Sequence, residues 1–277
     1  MPIAYYNGDF ADFSEIRIPL SDRSVFFGDG VYEACVGKSG KIFLKEEHFT
    51  RFFCNMRAIG LPLSFTEAKL SEILLDCIKR SALSEYFVYF QATGYLSERL
   101  HAPRDKTRSN LLVTVTPYKP LSIDSEIDLI SLQDIRQSFC NIKSLNLLGS
   151  VLGAEEACSG GAQEAVFIRN GFVTECSRSN ISIMKNGTLF THPKCEFILP
   201  GITRRLLLEC AKKLGIPYRE SAFTPAELIT ADDVIVTSTS KLALRAKSFD
   251  RTALQRKKSA ECRALIDEMF KCYREFC

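Results

Sequence analysis

The chain has 277 residues, 46% hydrophobic and 25% charged, enough to bury a core in one large or two moderate domains. Its formal net charge of +3 is too small to argue for nucleic acid or a membrane surface as a partner. No long uncharged apolar run occurs, and the start MPIAYYNGDFADFSE lacks a basic and apolar leader, so a cytoplasmic protein without a membrane partner is expected. Eleven cysteines are scattered without a C-x-x-C, and His48, His101 and His192 lie far apart. Neither a metal site nor a disulfide framework is indicated, and most cysteines read as reduced, small apolar residues.

In chain order, Glu46 to Ile59 places Phe49, Phe52, Phe53, Met56 and Ile59 at helical spacing before Gly60 and Pro62 stop the helix. Ser64-Phe65-Thr66-Glu67 reads as a capping box opening a second helix, with Leu70, Ile73, Leu74, Cys77 and Ile78 as its buried stripe. Two β-rich runs follow, YFVYFQAT and LLVTV, with a polar loop between them. A Pro-containing stretch over 118–122 reads as a linker, which divides the chain into a small α+β domain, 1–117, and a larger one, 123–277. In the second part Asn170-Gly171 and Asn186-Gly187 each sit between β-type segments, the signal of a type I′ hairpin. Thr203 to Leu214 reads as a helix closed by Gly215 and Pro217. Thr224-Pro225-Ala226-Glu227 starts another, DDVIVTSTS is a buried strand ending in hydroxyls, and Ser259 to Phe276 reads as a surface helix.

One lysine stands out. Lys143 lies in Cys140-Asn141-Ile142-Lys143-Ser144-Leu145-Asn146-Leu147-Leu148-Gly149-Ser150, a run with no other charge and half of it apolar. Poor solvation disfavours an ammonium, and a lysine so placed can serve as a Schiff-base nucleophile.

IKSLNLLGSVLGAEEA, together with SDRSVFFGDGVYE, FVTECSRSN, ILPGITRRLL and DDVIVTSTS, resembles the fold-type IV pyridoxal-phosphate (PLP) enzymes. This is the class IV aminotransferase family, and within it the D-amino acid transaminases are the closest group. The resemblance implies a two-domain α+β fold with the active site in the interdomain cleft, and PLP as cofactor. It assigns Lys143 to the Schiff base and to proton transfer at the substrate's α-carbon. It gives Glu175 the cofactor ring nitrogen, and the phosphate Ile202, Thr203, Ser238, Thr239 and Arg51. Leu199 is placed against the ring. Tyr32, Arg99 and His101 are assigned to the substrate carboxylate, the last two reaching it from a second subunit of a homodimer with shared sites. Without the resemblance, Glu175 reads as a solvated turn residue, Arg51 as the surface of an amphipathic helix, and Arg99 with His101 as an exposed loop.

The activity this implies is a ping-pong transfer of the amino group of a D-amino acid, of D-alanine or D-glutamate type, to a 2-oxo acid. A branched-chain L-amino acid transaminase and an aminodeoxychorismate lyase are the alternatives on the same fold. One segment departs from the family pattern. After Ser238-Thr239 the relatives continue with an acidic residue and a proline, whereas this chain reads Ser240-Lys241-Leu242-Ala243-Leu244-Arg245.

Overall fold

The computed structural model describes residues 1–102, 107–255, 257 and 259–276, which form two compact units. The first comprises Met1–Lys119 with Ile142–Asn146, and the second Pro120–Asn141 with Leu147–Phe276. Compared with the division expected from sequence, the short segment Ile142–Asn146 changes sides. It does so because Ser144 bridges Val31 in antiparallel fashion, which ties the segment to the first unit's sheet.

The first unit contains β1 (Ile3–Tyr6), β2 (Asp9–Asp12), α1 (Arg23–Phe27), β3 (Gly30–Lys38), β4 (Lys41–Ile42), α2 (Lys45–Ala58), α3 (Glu67–Ser81), β5 (Glu85–Gly94) and β6 (Ser109–Pro117). Its six strands pair antiparallel in the order β2-β1-β6-β5-β3-β4. The helical spacing of Phe49, Phe52 and Phe53 turns all three rings inward, where Phe52 meets Phe90 of β5 edge-on at 4.8 Å. Each buried ring contributes roughly 1.5–3 kcal/mol through area removed from water. The start of α3 differs from the expected capping box. Thr66 is the cap, its hydroxyl accepting from the Lys69 N–H, while Ser64 Oγ accepts instead from the Ser109 N–H at 2.7 Å. A tertiary donor has taken the hydroxyl that the local pattern offered to the helix.

The second unit contains β7 (Glu126–Gln133), α4 (Leu148–Ser159), β8 (Glu164–Arg169), β9 (Phe172–Cys176), β10 (Asn180–Lys185), β11 (Thr188–Thr191), α5 (Ile202–Lys213), β12 (Tyr218–Glu220), α6 (Pro225–Ile229), β13 (Asp233–Ser238), β14 (Leu242–Phe249), β15 (Thr252–Ala253) and α7 (Ala260–Phe276). Nine strands form one mixed sheet in the order β12-β11-β10-β13-β14-β7-β8-β9, with β15 paired to β14. Asn170-Gly171 and Asn186-Gly187 have positive φ at both residues, as a type I′ turn requires, and they close the β8–β9 and β10–β11 hairpins. Ile127, Leu129, Val166, Ile181, Val234, Val236 and Leu244 converge in the core of this unit. The tail helix α7 buries Cys262, Leu265, Ile266, Met269, Phe270 and Tyr273 along one stripe, against α5 and β14. The ten described cysteines are all free thiols, Cys77 and Cys210 among the buried ones. No helix among the described residues is long and apolar enough to cross a membrane.

Candidate active site

Lys143 is placed by an added strand-like segment. Tyr32 N donates to Lys143 O at 2.9 Å and Leu145 N to Gly30 O at 3.0 Å, so residues 142–146 run beside the start of β3. Glycine is needed at position 30, where a Cβ would stand 2.7 Å from both Ala92 O and Leu145 Cδ1. The Lys143 side chain is half-buried, with Nζ 4.1 Å from the centre of the Tyr32 ring, a cation–π distance. Tyr32 in turn stacks on Tyr89 at 5.4 Å.

One step further along β3, Glu33 is fully buried. Its carboxylate accepts from Arg51 Nε at 2.7 Å and Nη2 at 2.9 Å, and pairs with His48 Nδ1 at 2.7 Å. Burial would push this carboxyl up, but the Arg51 guanidinium and the His48 ring outweigh it and hold it at about 2. Arg51 is therefore a largely shielded, aligned cation, its side chain 11% exposed, and not a free surface residue of an amphipathic helix.

The loop bearing Arg99 and His101 is pinned from below. Arg23 donates from Nη1 to Leu100 O at 2.6 Å and from Nη2 to His101 O at 3.2 Å. The Phe27 ring lies 5.3 Å from the His101 ring and 5.7 Å from Arg99 Cζ. The backbone at Leu100 and His101 is thus held while the Arg99 and His101 side chains stay exposed. Tyr32 contacts Lys143 and Tyr89, whereas Arg99 and His101 gather around Phe27.

In the second unit Glu175 is buried at the end of β9. Its Oε1 accepts from Arg136 Nη1, and Oε2 from Asn180 Nδ2 at 2.9 Å and the Leu199 N–H at 3.0 Å. Burial pushes the carboxyl up to about 7 against the pull of Arg136. Asp134 grips Arg136 through two parallel bonds, Nε to Oδ1 and Nη2 to Oδ2, both at 2.9 Å. Asp134 is itself held by Arg169 and by the Thr174 hydroxyl. Glu175 is therefore no solvated turn residue but the end of a buried, charge-assisted chain.

Gly201 caps α5 with no side-chain hydrogen bond, leaving the first-turn N–H groups, those of Ile202 and Thr203 among them, without intrahelical partners. The Ser238 and Thr237 hydroxyls at the end of β13 are buried without a hydrogen-bond partner, and Thr239 follows, half-buried. Free amides at a helix N-terminus and orphaned hydroxyls are what an anionic phosphate would satisfy. A buried carboxylate in the same unit suits a ring nitrogen that must carry a proton, so these residues fit PLP. A Cβ at Gly201 would overlap Asn180 Oδ1. Gly201→Ala is accordingly expected to weaken PLP binding by about tenfold or more, from a steric cost of roughly 1–3 kcal/mol. Fluorescence titration of the apoprotein with PLP measures this.

Asp134, Arg136, Asn180, Glu33 and His48 were not singled out by sequence reasoning. Asn180 closes the ECSRSN motif and Glu33 follows Tyr32, so proximity to an assigned residue was the available signal for those two. Arg136 stands 39 residues from Glu175 and carries no local signature.

A buried carboxylate and a helix-borne anion cradle in the second unit, and in the first a lysine set on an aromatic ring, are the residue types of a PLP enzyme of fold type IV. The sequence profile of the family described as amino-transferase class IV matches residues 30–249. A D-alanine aminotransferase of Staphylococcus epidermidis is 36% identical over 260 residues, 92% of each chain. That of Staphylococcus aureus is 37% identical over 239 residues, 85% of each chain. Among solved structures, a branched-chain aminotransferase of the archaeon Thermoproteus uzoniensis superposes with a TM-score of 0.88 at 23% identity, over 97% of this chain and 93% of that one, a likeness of fold alone. The chain belongs to the class IV aminotransferases, which depend on pyridoxal phosphate.

Proposed function

We propose that the enzyme is a D-amino acid transaminase, moving the amino group of a D-amino acid of D-alanine or D-glutamate type to a 2-oxo acid by a ping-pong route, in the cytoplasm. The observation that carries this reading is the pinned loop presenting Arg99 and His101, a pair suited to a carboxylate, in a chain more than a third identical to curated D-alanine aminotransferases over most of its length.

PLP, when bound, supplies the electron sink that stabilises charge left by a departing α-proton. Lys143 Nζ is the nucleophile that tethers the cofactor, and then the base that lifts and returns the substrate's α-proton. Tyr32 offers its ring face to the lysine head and its hydroxyl to the substrate carboxylate. Glu175, oriented by Arg136 and Asn180, would face the cofactor's ring nitrogen and favour a proton there, and Leu199 would pack on the ring. Ile202, Thr203, Ser238 and Thr239 would hold the phosphate, and the family resemblance assigns Arg51, whose orientation Glu33 and His48 fix, to it as well. With one lysine to move the α-proton, the way the carboxylate is trapped would decide which enantiomer presents its α-hydrogen to Lys143.

The exposure of Arg99 and His101 in a single chain supports their donation to a second copy, in a homodimer with shared sites. Arg99→Gln should raise KM for D-alanine roughly 10- to 100-fold, the loss of a hydrogen bond to a charged group, with a smaller change in kcat. Complementation tests the shared site. Lys143→Ala mixed with Arg99→Gln under exchange conditions should regain activity, because the mixed dimer then holds one intact site. No regain in a demonstrated mixed dimer would place Arg99 in the same subunit's site. Turnover of L-leucine with no turnover of D-alanine would reject the D-specific reading.

A further inference from the structure

The segment after Thr239, where this chain leaves the family pattern, supplies one half of a buried ion pair. Glu164, the first residue of β8, is fully buried. Its Oε1 accepts from Ser179 Oγ at 2.7 Å and from Lys241 Nζ. Its Oε2 accepts from Ser177 Oγ and from the Arg178 N–H, both at 2.9 Å. Lys241 Nζ also reaches Ser179 Oγ at 3.3 Å. Three of these donors lie on the turn 177–179, which is closed by a bond from Cys176 N to Ser179 O and leads from Glu175 to Asn180. The fourth lies on the turn from β13 to β14, closed by a 3.3 Å bond from Lys241 N to Ser238 O.

We propose that the Glu164–Lys241 pair is a clamp that positions the Ser238–Lys241 turn against the turn joining Glu175 to Asn180, and so sets how tightly the cofactor is held. Lys241 is a positioning residue here, acting through the loop that carries Ser238 and Thr239. Other cations nearby do not substitute for it. Arg178 reaches Glu164 only at 4.0 Å with its side chain 63% exposed, and Arg245 lies beside the Cys262 thiol of α7. Lys241, 16% exposed, is shielded from water, and it keeps the Glu164 carboxyl below the usual range despite burial. A shielded pair with its remaining lone pairs satisfied is directional enough to hold two turns in register, whereas an exposed pair contributes little. The clamp also neutralises Lys241, so this cation is committed to the fold and not to attracting an acidic substrate side chain.

The inference rests on reading Ser238 and Thr239 as phosphate ligands, and the test separates the two claims. Apoprotein would be titrated with PLP by absorbance and tyrosine fluorescence, alongside thermal melts, for wild type, Ser238→Ala, Lys241→Met, Lys241→Arg and the double variant Glu164→Gln/Lys241→Met. Lys241→Met should raise the PLP dissociation constant by roughly tenfold, and Lys241→Arg should stay within about threefold of wild type. The double variant leaves no unpaired buried charge. Its melting temperature should recover towards wild type while its dissociation constant stays raised, and it decides the matter if Lys241→Met fails to fold. Wild-type affinity in Lys241→Met or in the double variant, with Ser238→Ala weakened, would overturn the clamp alone. Wild-type affinity in Ser238→Ala would overturn the cradle reading and the clamp with it.

Discussion

Lys143→Ala should lower transamination by at least about 10³-fold, because one side chain supplies both the covalent anchor and the proton carrier, and general acid–base catalysis by itself is worth roughly 10²–10⁴. The fold should survive the change. The segment is held through backbone, from Tyr32 N to Lys143 O and from Leu145 N to Gly30 O, and alanine keeps both bonds. The variant should therefore melt close to wild type as apoprotein, retain PLP only by non-covalent contacts, and give no PLP-labelled peptide after borohydride reduction. A labelled peptide from elsewhere in the chain would assign the anchor to another lysine.

The second large effect concerns Glu175 and has two parts. Glu175→Gln should reduce activity by about 10²-fold or more, since a neutral amide gives the ring nitrogen far less reason to stay protonated. It should also change how the apoprotein responds to pH. In the folded chain the carboxyl is pushed up to about 7 from its ordinary 4.5, so the folded state prefers it protonated. The stability it contributes is fully present below the ordinary value and is lost as pH rises through about 7. A gap of this size amounts to about 3 kcal/mol at 1.36 kcal/mol per pH unit. Urea melts of apoprotein at pH 5 and pH 8 should show wild type losing that much on the alkaline side, with Glu175→Gln lacking the drop. Bound PLP should shrink it, because a cation beside the carboxylate favours the ionised form. Equal pH dependence in the two apoproteins would mean that Glu175 is not the group carrying the strain.

Part of this architecture was legible in the sequence because local rules governed it. The phenylalanine stripe of α2, the two Asn-Gly turns, the helix start at Thr224–Glu227 and the helix from Thr203 depend on neighbours a few residues away. Asn7-Gly8 closes β1–β2 with both residues at positive φ, a third turn of the same kind that the sequence reading did not single out. At Ser64 a local pattern misled, since the hydroxyl that seemed to cap α3 was drawn to a strand 45 residues away.

The candidate site was legible where a motif keeps its residues together, as in Ile142–Asn146 and Gly201–Thr203. It was opaque where buried charges meet across the chain. Arg136 joins Glu175, Arg51 joins Glu33, and Lys241 joins Glu164 over separations of 39, 18 and 77 residues. No periodicity marks such pairs. Their partners become visible only once the sheets bring strand ends side by side. For that reason Arg51 and Glu175, taken without the family resemblance, read as surface residues, although both side chains are largely shielded from water.

The most direct test of D-specific transamination is a single half-reaction. PLP-loaded enzyme would be mixed separately with D-alanine, D-glutamate, L-leucine and L-glutamate, without an oxo-acid acceptor, and the visible absorbance of the cofactor followed. Loss of that absorbance with one equivalent of 2-oxo acid for the D-substrates, and none for the L-substrates, is the expected result. Conversion by L-leucine or L-glutamate alone would contradict it.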